Sequence, residues 1–192
     1  MNSTAPHIYL ASQSPRRREL LTQIGVEHEV LALDVPEHAA PGEAPLAYVA
    51  RVARDKALAG WQQVADRAGA RVLAADTEVV LDERIFGKPA DAGEAAEMLR
   101  SLSGREHLVP SAVVLIGHGF EETRMSLTRV RFRALSANDI DAYLASGEWR
   151  GKAGAYAIQG RAGAFIERID GSYTGVMGLP LFETSALLSA AR

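Results

Sequence analysis

Residues 7–25 read HIYLASQSPRRRELLTQIG, and they contain a strand, a turn and a helix in immediate succession. His7 to Ala11 is a short apolar strand. Ser14 stands as an N-cap with Pro15 at the first helical position, where a missing N–H breaks no helical bond. Leu20, Leu21 and Ile24 give the helix an apolar stripe, and Gly25 closes it. The alternation continues along the chain. Strands are predicted over Glu27–Leu33, Arg71–Ala75, Leu108–Ile116 and Met125–Ala134, with Thr77–Leu81 continuing or pairing with the second of these. Helices are predicted over Leu46–Gly60, Asp91–Ser101, Ser136–Ala145 and Pro180–Ala190. Asp34–Pro45 reads as a proline-rich loop, and Gly147–Gly178 as a glycine-rich region with a strand-like run, Ala164–Ile169, inside it. Strands alternating with helices predict an α/β fold with a mixed sheet. No composition shift marks a boundary, so a single domain over residues 1–192 is expected.

Composition narrows the function classes. The chain has 192 residues, 47% hydrophobic and 23% charged, enough to bury a core without disulfides or a structural metal. There is no cysteine, which excludes thiol nucleophiles and thiolate-held metals. A net charge of -3 argues against general coating of nucleic acid. The opening MNSTAPHIYLAS lacks the basic and apolar regions of a signal peptide, and the apolar run near Ala112–Ile116 is far below the ~20 residues of a membrane span. A cytoplasmic protein with no membrane and no nucleic-acid partner is expected.

Three segments carry chemistry. In Ser12-Gln13-Ser14-Pro15-Arg16-Arg17-Arg18, three arginines fall in the first turn of a helix. The helix dipole disfavours cations there by ~0.3–1 kcal/mol each. Either the arginines project into solvent, or free N–H groups, hydroxyls and guanidinium forks together hold a phosphate chain. In Ala74-Ala75-Asp76-Thr77 a carboxylate ends an apolar strand, as a turn former or as a group placed for a metal or a water. Around Lys152–Gly160, small residues surround Tyr156 and Gln159, either in a tight turn or against a planar ligand whose base edge an amide can match. Glu37 in the proline-rich loop reads as an ordinary surface acid. Lys56 lies on a helix among apolar neighbours, its stem snorkelling or its ammonium reaching a phosphate. Lys88 sits on the stiff Gly87-Lys88-Pro89 turn. No dinucleotide fingerprint, P-loop, nucleophile elbow or histidine metal spacing is present. Arg129, Arg131 and Arg133 alternate with Val130 and Phe132 as one solvated face of a strand.

Taken in order, several motifs resemble the Maf family of nucleoside triphosphate pyrophosphatases. They are Ser12-x-Ser14-Pro15-Arg16-Arg17, Arg54-Asp55-Lys56-Ala57, Ala75-Asp76-Thr77, Gly87-Lys88-Pro89, Lys152-Ala153-Gly154-Ala155-Tyr156-x-Ile158-Gln159-Gly160 and Gly171-Ser172-Tyr173 with Gly178-Leu179-Pro180. The resemblance covers the chain from Tyr9 to about Leu188, with mild departures at Gln13, Asp55 and Ala74. It implies an elongated mixed β-sheet flanked by helices, with two lobes and a central cleft, similar to inosine triphosphate pyrophosphatase folds. It implies hydrolysis of a nucleoside triphosphate to the monophosphate and pyrophosphate, a divalent cation (magnesium or manganese) and a homodimer. The family's catalytic carboxylate aligns with Asp76, supporting groups with Glu37, Lys56 and Lys88, and the phosphate-facing segment with Ser12, Arg16 and Arg17. Asp76 and Glu37 are the implied metal ligands. The Ala-Tyr-x-Ile-Gln-Gly string resembles the branch acting on dTTP and UTP, with Arg16, Thr77 and Gln159 at the positions tied to base choice. Clearance of non-standard pyrimidine nucleotides fits the same expectation. The alternatives are a 7-methyl-GTP or modified-nucleotide pyrophosphatase, and a nucleotide-binding regulator of cell division with little catalysis.

Overall fold

The computed structural model describes residues 7–191. Residues 1–6, which open the stretch read for a signal peptide, and Arg192 lie outside the described residues. Among the described residues, no helix is long and apolar enough to cross a membrane.

The order of elements is β1 (His7–Leu10), α1 (Pro15–Gln23), β2 (His28–Val30), α2 (Pro45–Val64), β3 (Ala70–Thr77), β4 (Val79–Leu81), β5 (Arg84–Phe86), α3 (Ala92–Leu102), β6 (Glu106–Gly117), β7 (Phe120–Phe132), α4 (Ala137–Ser146), β8 (Ile166–Asp170), α5 (Tyr173–Met177) and α6 (Leu181–Ala190). Among the described residues the strands form one mixed sheet of eight, ordered β2-β1-β3-β6-β4-β5, with β7 on the other edge of β6 and β8 on β7. The pairs β1–β2 and β1–β3 are parallel. The remaining pairs are antiparallel.

The long strand β6 organises the molecule. Its residues Ser111–Gly117 pair with β3, and Leu108 pairs with Val80 of β4. Strands β3 and β4 therefore lie end to end along a single edge of β6, separated only by Glu78. Beyond β3 the sheet continues into β1 and β2, and beyond β4 into β5. The sheet is thus elongated and forked, and a cleft opens at the fork. This is the two-lobed mixed α/β architecture expected from the sequence.

Packing follows strand alternation. Val72 and Ala74 of β3 face α2, joining Val49, Val52, Ala53 and Ala57 in one buried cluster. Leu73 and Ala75 face the other way, against Leu20 and Leu21 of α1 and Leu187 of α6. In the second lobe Phe86, Leu99, Leu102, Phe132, Tyr143 and Trp149 form a separate core. Val130 and Phe132 are buried, whereas Arg131 pairs with Glu167 and Arg133 with Asp139 on the outside, the solvated face read from the alternation.

Several boundaries differ from expectation. Strand β2 is three residues long, and α2 runs four residues past Gly60, to Val64. Ser14 is the N-cap of α1 by backbone geometry, but its side chain makes no capping bond. The helix at Ser136, by contrast, has a complete capping box with Asp139. Strand β5 and helix α5 were not expected, and the start of the strand-like run at Ala164 is a 3-10 turn over Arg161–Phe165.

Candidate active site

The cleft is a cavity of about 600 Å³, within the range of small-molecule sites. It lies outside the carboxyl ends of β1 and β3, where ligands of open α/β sheets bind. Every site residue expected from the sequence lines it: Ser12, Arg16, Arg17, Glu37, Lys56, Asp76, Thr77, Lys88 and Gln159.

One wall is built from α2 and β3. Lys56 sits on the buried stripe of α2 with Tyr48, Val49, Val52 and Ala53. The helix approaches closely at Gly60, where a Cβ would stand 2.9 Å from Val72 Cγ1 and 3.1 Å from Ala11 Cβ. That approach brings Lys56 Nζ to 2.8 Å from Asp76 Oδ1, at the end of β3. The same ammonium is 2.7 Å from Glu37 Oε1, and Lys88 Nζ is 2.8 Å from Glu37 Oε2. A chain Lys88–Glu37–Lys56–Asp76 thus crosses the cleft from the β5 turn to the end of β3. Lys56 is 9% exposed and Asp76 3%, so the ammonium is buried in an ion pair rather than snorkelling. Burial pushes Glu37 up, but hydrogen bonds from both lysines outweigh it and hold its carboxyl down at about 2.

Glu78, an acid with no local signal in the sequence, also lines the cleft. It is 5% exposed, and burial, reinforced by the charge of Asp76, pushes its carboxyl up to about 8. Among the described residues, Asp76 Oδ2 and Glu78 Oε2 are buried with no hydrogen-bond partner. Burial and the neighbouring Glu78, Asp76 and Glu37 also raise the Tyr48 hydroxyl above its ordinary range.

The opposite wall is cationic. Arg16 Nε donates to the carbonyl of Met177 at 3.2 Å, and Arg17 Nε to that of Gly178 at 2.7 Å. Arg17 also donates through Nη1 to Ser12 Oγ, which in turn accepts the backbone N–H of Ser14. The hydroxyl that organises the helix start is therefore Ser12, not the N-cap Ser14. Of the three arginines, Arg18 alone is exposed as the solvent reading would have it. Burial lowers the Arg16 guanidinium, with Arg17 beside it adding to the effect. Burial followed by Arg16 lowers Lys152 in the same way. These cations crowd one another, and an anion between them would relieve it.

Thr77 lies between the walls. Ser111 gives its hydroxyl hydrogen to the Gly175 carbonyl at 2.7 Å, so Thr77 Oγ1, 2.8 Å from Ser111 Oγ, is the donor of that pair. Its lone pairs remain available to a ligand. Gln159 is exposed on a turn at the cleft mouth. Tyr156 does not offer its hydroxyl to a ligand: that group bonds His107 Nε2 at 2.9 Å inside the second lobe.

A forked α/β sheet whose cleft sets a carboxylate–lysine chain against a wall of arginines is the framework of a protein that handles a polyanion. The Maf-like protein family profile matches residues 7–191, and the chain belongs to the Maf family. The dTTP/UTP pyrophosphatase of Nitrosomonas europaea is 56% identical over 191 residues, covering 94% of this chain and 92% of its own. That of Xanthomonas campestris pv. campestris is 58% identical over 185 residues, covering 95% and 97%. That of Bordetella avium is 54% identical over 192 residues, covering 97% and 96%. Among solved structures, the Staphylococcus aureus Ham1 protein aligns with a TM-score of 0.44 at 12% identity, over 66% of this chain and 71% of its own.

Proposed function

We propose that this chain hydrolyses dTTP and UTP between the α- and β-phosphates, releasing the nucleoside monophosphate and pyrophosphate, and that it clears non-standard pyrimidine nucleotides by the same reaction. It does so as one Maf-like domain over residues 1–192, in the cytoplasm and as a homodimer. The observation that carries the reading is the Lys88–Glu37–Lys56–Asp76 chain, buried at its Lys56–Asp76 end, facing Arg16, Arg17 and Lys152 across one cavity. The names of the relatives described above point to the same substrates.

A triphosphate carries about four negative charges, and stabilising charge as the anhydride breaks is the main task of such a site. The arginines are pre-aimed. Each has Nε fixed on a backbone carbonyl; Arg17 Nη1 is also held by Ser12 Oγ, which leaves its Nη2 and the two terminal nitrogens of Arg16 for phosphate oxygens. Lys56 and Lys88 exchange part of their hold on Glu37 for the phosphates nearest the scissile bond. Asp76 acts through Oδ2, the oxygen Lys56 does not hold, either as a ligand of the metal or as the group that orients and deprotonates the attacking water. Thr77 and Gln159 face the base, whose alternating acceptors and donor match a hydroxyl lone pair and an amide.

The residues present fit a divalent cation, because Asp76 offers a buried oxygen with no partner among the described residues. Of the two ligands the resemblance implies for magnesium or manganese, Asp76 has an oxygen ready, whereas Glu37 has both oxygens on lysines and would have to give one up to join it. When bound, the ion supplies positive charge at the phosphates and acidifies water.

The test is a panel of UTP, dTTP, CTP and 7-methyl-GTP assayed for pyrophosphate release with and without Mg²⁺. Release from UTP and dTTP, in preference to the others, is expected. Preference for 7-methyl-GTP overturns the base assignment. Tight binding of the nucleotides without turnover favours a regulatory binder.

A further inference from the structure

We propose that Glu78 and Asp76 form the carboxylate pair that holds the divalent cation of this cleft, and that Glu37 serves chiefly to hold Lys56 and Lys88. The inference rests on the metal-assisted hydrolysis proposed above and assigns the ion's protein ligands.

The geometry begins with the backbone. Glu78 N–H donates to the Pro110 carbonyl at 3.2 Å, carrying the β3–β6 register one step past the Thr77–Ser111 pair. Residues two apart on extended backbone send their side chains to the same face. Asp76 and Glu78 therefore continue the face on which Val72 and Ala74 pack against α2. Both line the cleft, and both are more than nine-tenths buried, with exposures of 3% and 5%.

The oxygens divide unequally among the three acids. Glu37 has one oxygen on Lys56 and the other on Lys88, at 2.7 and 2.8 Å. Asp76 has only Oδ1 occupied, by Lys56. Asp76 Oδ2 and Glu78 Oε2 have no partner among the described residues. Two carboxylates sharing a poorly solvated pocket repel unless one of them keeps its proton or a cation joins them. Lys56 neutralises Asp76 on one side only.

Among the described residues, no three histidine or acidic side chains form a ready-made cage. A magnesium-type ion does not require one, because it is commonly held by one or two carboxylates with substrate phosphates completing its shell. The Asp76–Glu78 pair supplies that protein share. It also leaves the Lys88–Glu37–Lys56 arrangement intact until phosphate arrives.

The test uses the full chain and Mn²⁺ as probe, followed by its electron paramagnetic resonance signal, alone and with non-hydrolysable α,β-methylene-UTP. Glu78→Gln is expected to raise the Mn²⁺ Kd by about tenfold or more, the scale of lost metal-site groups. It should also raise the Mn²⁺ concentration for half-maximal pyrophosphate release by a similar factor. Metal-free binding of the analogue should not weaken. Glu37→Gln is expected to shift Mn²⁺ affinity less than Glu78→Gln does. A folded Glu78→Gln protein with wild-type Mn²⁺ affinity overturns the inference, as does a larger loss in Glu37→Gln. Should Glu78→Gln fail to fold, Glu78→Asp carries the test, a shortened carboxylate shifting Mn²⁺ affinity alone; unchanged affinity there is equally fatal. Failure of the activity reading looks different. Mn²⁺ held through Glu78 with no pyrophosphate from UTP removes the hydrolysis and leaves the site. Metal-dependent hydrolysis with no effect of Glu78→Gln on Mn²⁺ affinity removes the site and leaves the hydrolysis.

Discussion

Replacing Asp76 by asparagine separates what the fold needs from what the chemistry needs. The side chain is 3% exposed, and the substitution keeps its shape. Asparagine retains a carbonyl oxygen for the Lys56 ammonium, now 2.8 Å from Oδ1, but loses the charge. A hydrogen bond to a charged group contributes about 1.5–3 kcal/mol and a neutral one about 1 kcal/mol, so roughly 1 kcal/mol is lost there. Against this, Glu78 is relieved of a buried like charge, which acts in the opposite direction. Unfolding free energy is therefore expected to stay within about 1–2 kcal/mol of wild type. Turnover should fall by at least ~10²-fold, the scale of one acid–base group and about 2.7 kcal/mol of barrier. Urea unfolding followed by circular dichroism gives the first quantity, and pyrophosphate release from UTP at saturating Mg²⁺ gives the second. Near-normal turnover in a folded variant refutes the role of Asp76. A loss of activity that follows a loss of fold refutes the separation.

Three further outcomes are expected. Lys56→Met strands the buried Asp76 carboxylate and should destabilise by about 3–5 kcal/mol, read from urea denaturation; a change near zero would mean the ammonium is not needed for the fold. Gln159→Ala, at an exposed turn, should leave stability unchanged and reduce discrimination between UTP and CTP in kcat/KM by up to about tenfold, one hydrogen bond's worth; an unchanged ratio removes Gln159 from base recognition. Burial lowers His107 to about 4 from an ordinary 6.5, so between those values the unfolded chain takes up a proton that the folded protein refuses. Stability from this group is complete above pH 6.5 and is lost as pH falls towards 4, by on the order of 3 kcal/mol, and His107→Gln should lose that part of the pH dependence in unfolding titrations.

Much of this was legible in residue order because local signals and long-range packing agree. Pro15 and Gly25 bracket α1, and the period of Tyr48, Val49, Val52 and Ala53 marks α2, since each face must find a partner. Asp76 announces itself as a charge ending an apolar strand. Other features depend on contacts no window contains. Strand β5 follows a turn at Asp82 and Glu83, both with positive φ, where glycine or asparagine would have signalled a hairpin. Helix α5 is five residues long, too short to show a period. Glu78 falls within the Thr77–Leu81 run read as a strand and carries no signal of its own; only the collinear β3 and β4 on β6 bury it. Lys56 reads equally as a snorkelling stem or as an ammonium reaching a phosphate, and only the fold brings Glu37, nineteen positions earlier in a loop, onto the same ammonium.

The proposed hydrolysis delivers water to the innermost phosphorus of a nucleoside triphosphate. Hydrolysis of UTP in ¹⁸O-labelled water, with products resolved by ³¹P nuclear magnetic resonance, tests it most directly. Label confined to UMP beside unlabelled pyrophosphate is the expected result. Label in pyrophosphate, or release of orthophosphate with UDP, would contradict it.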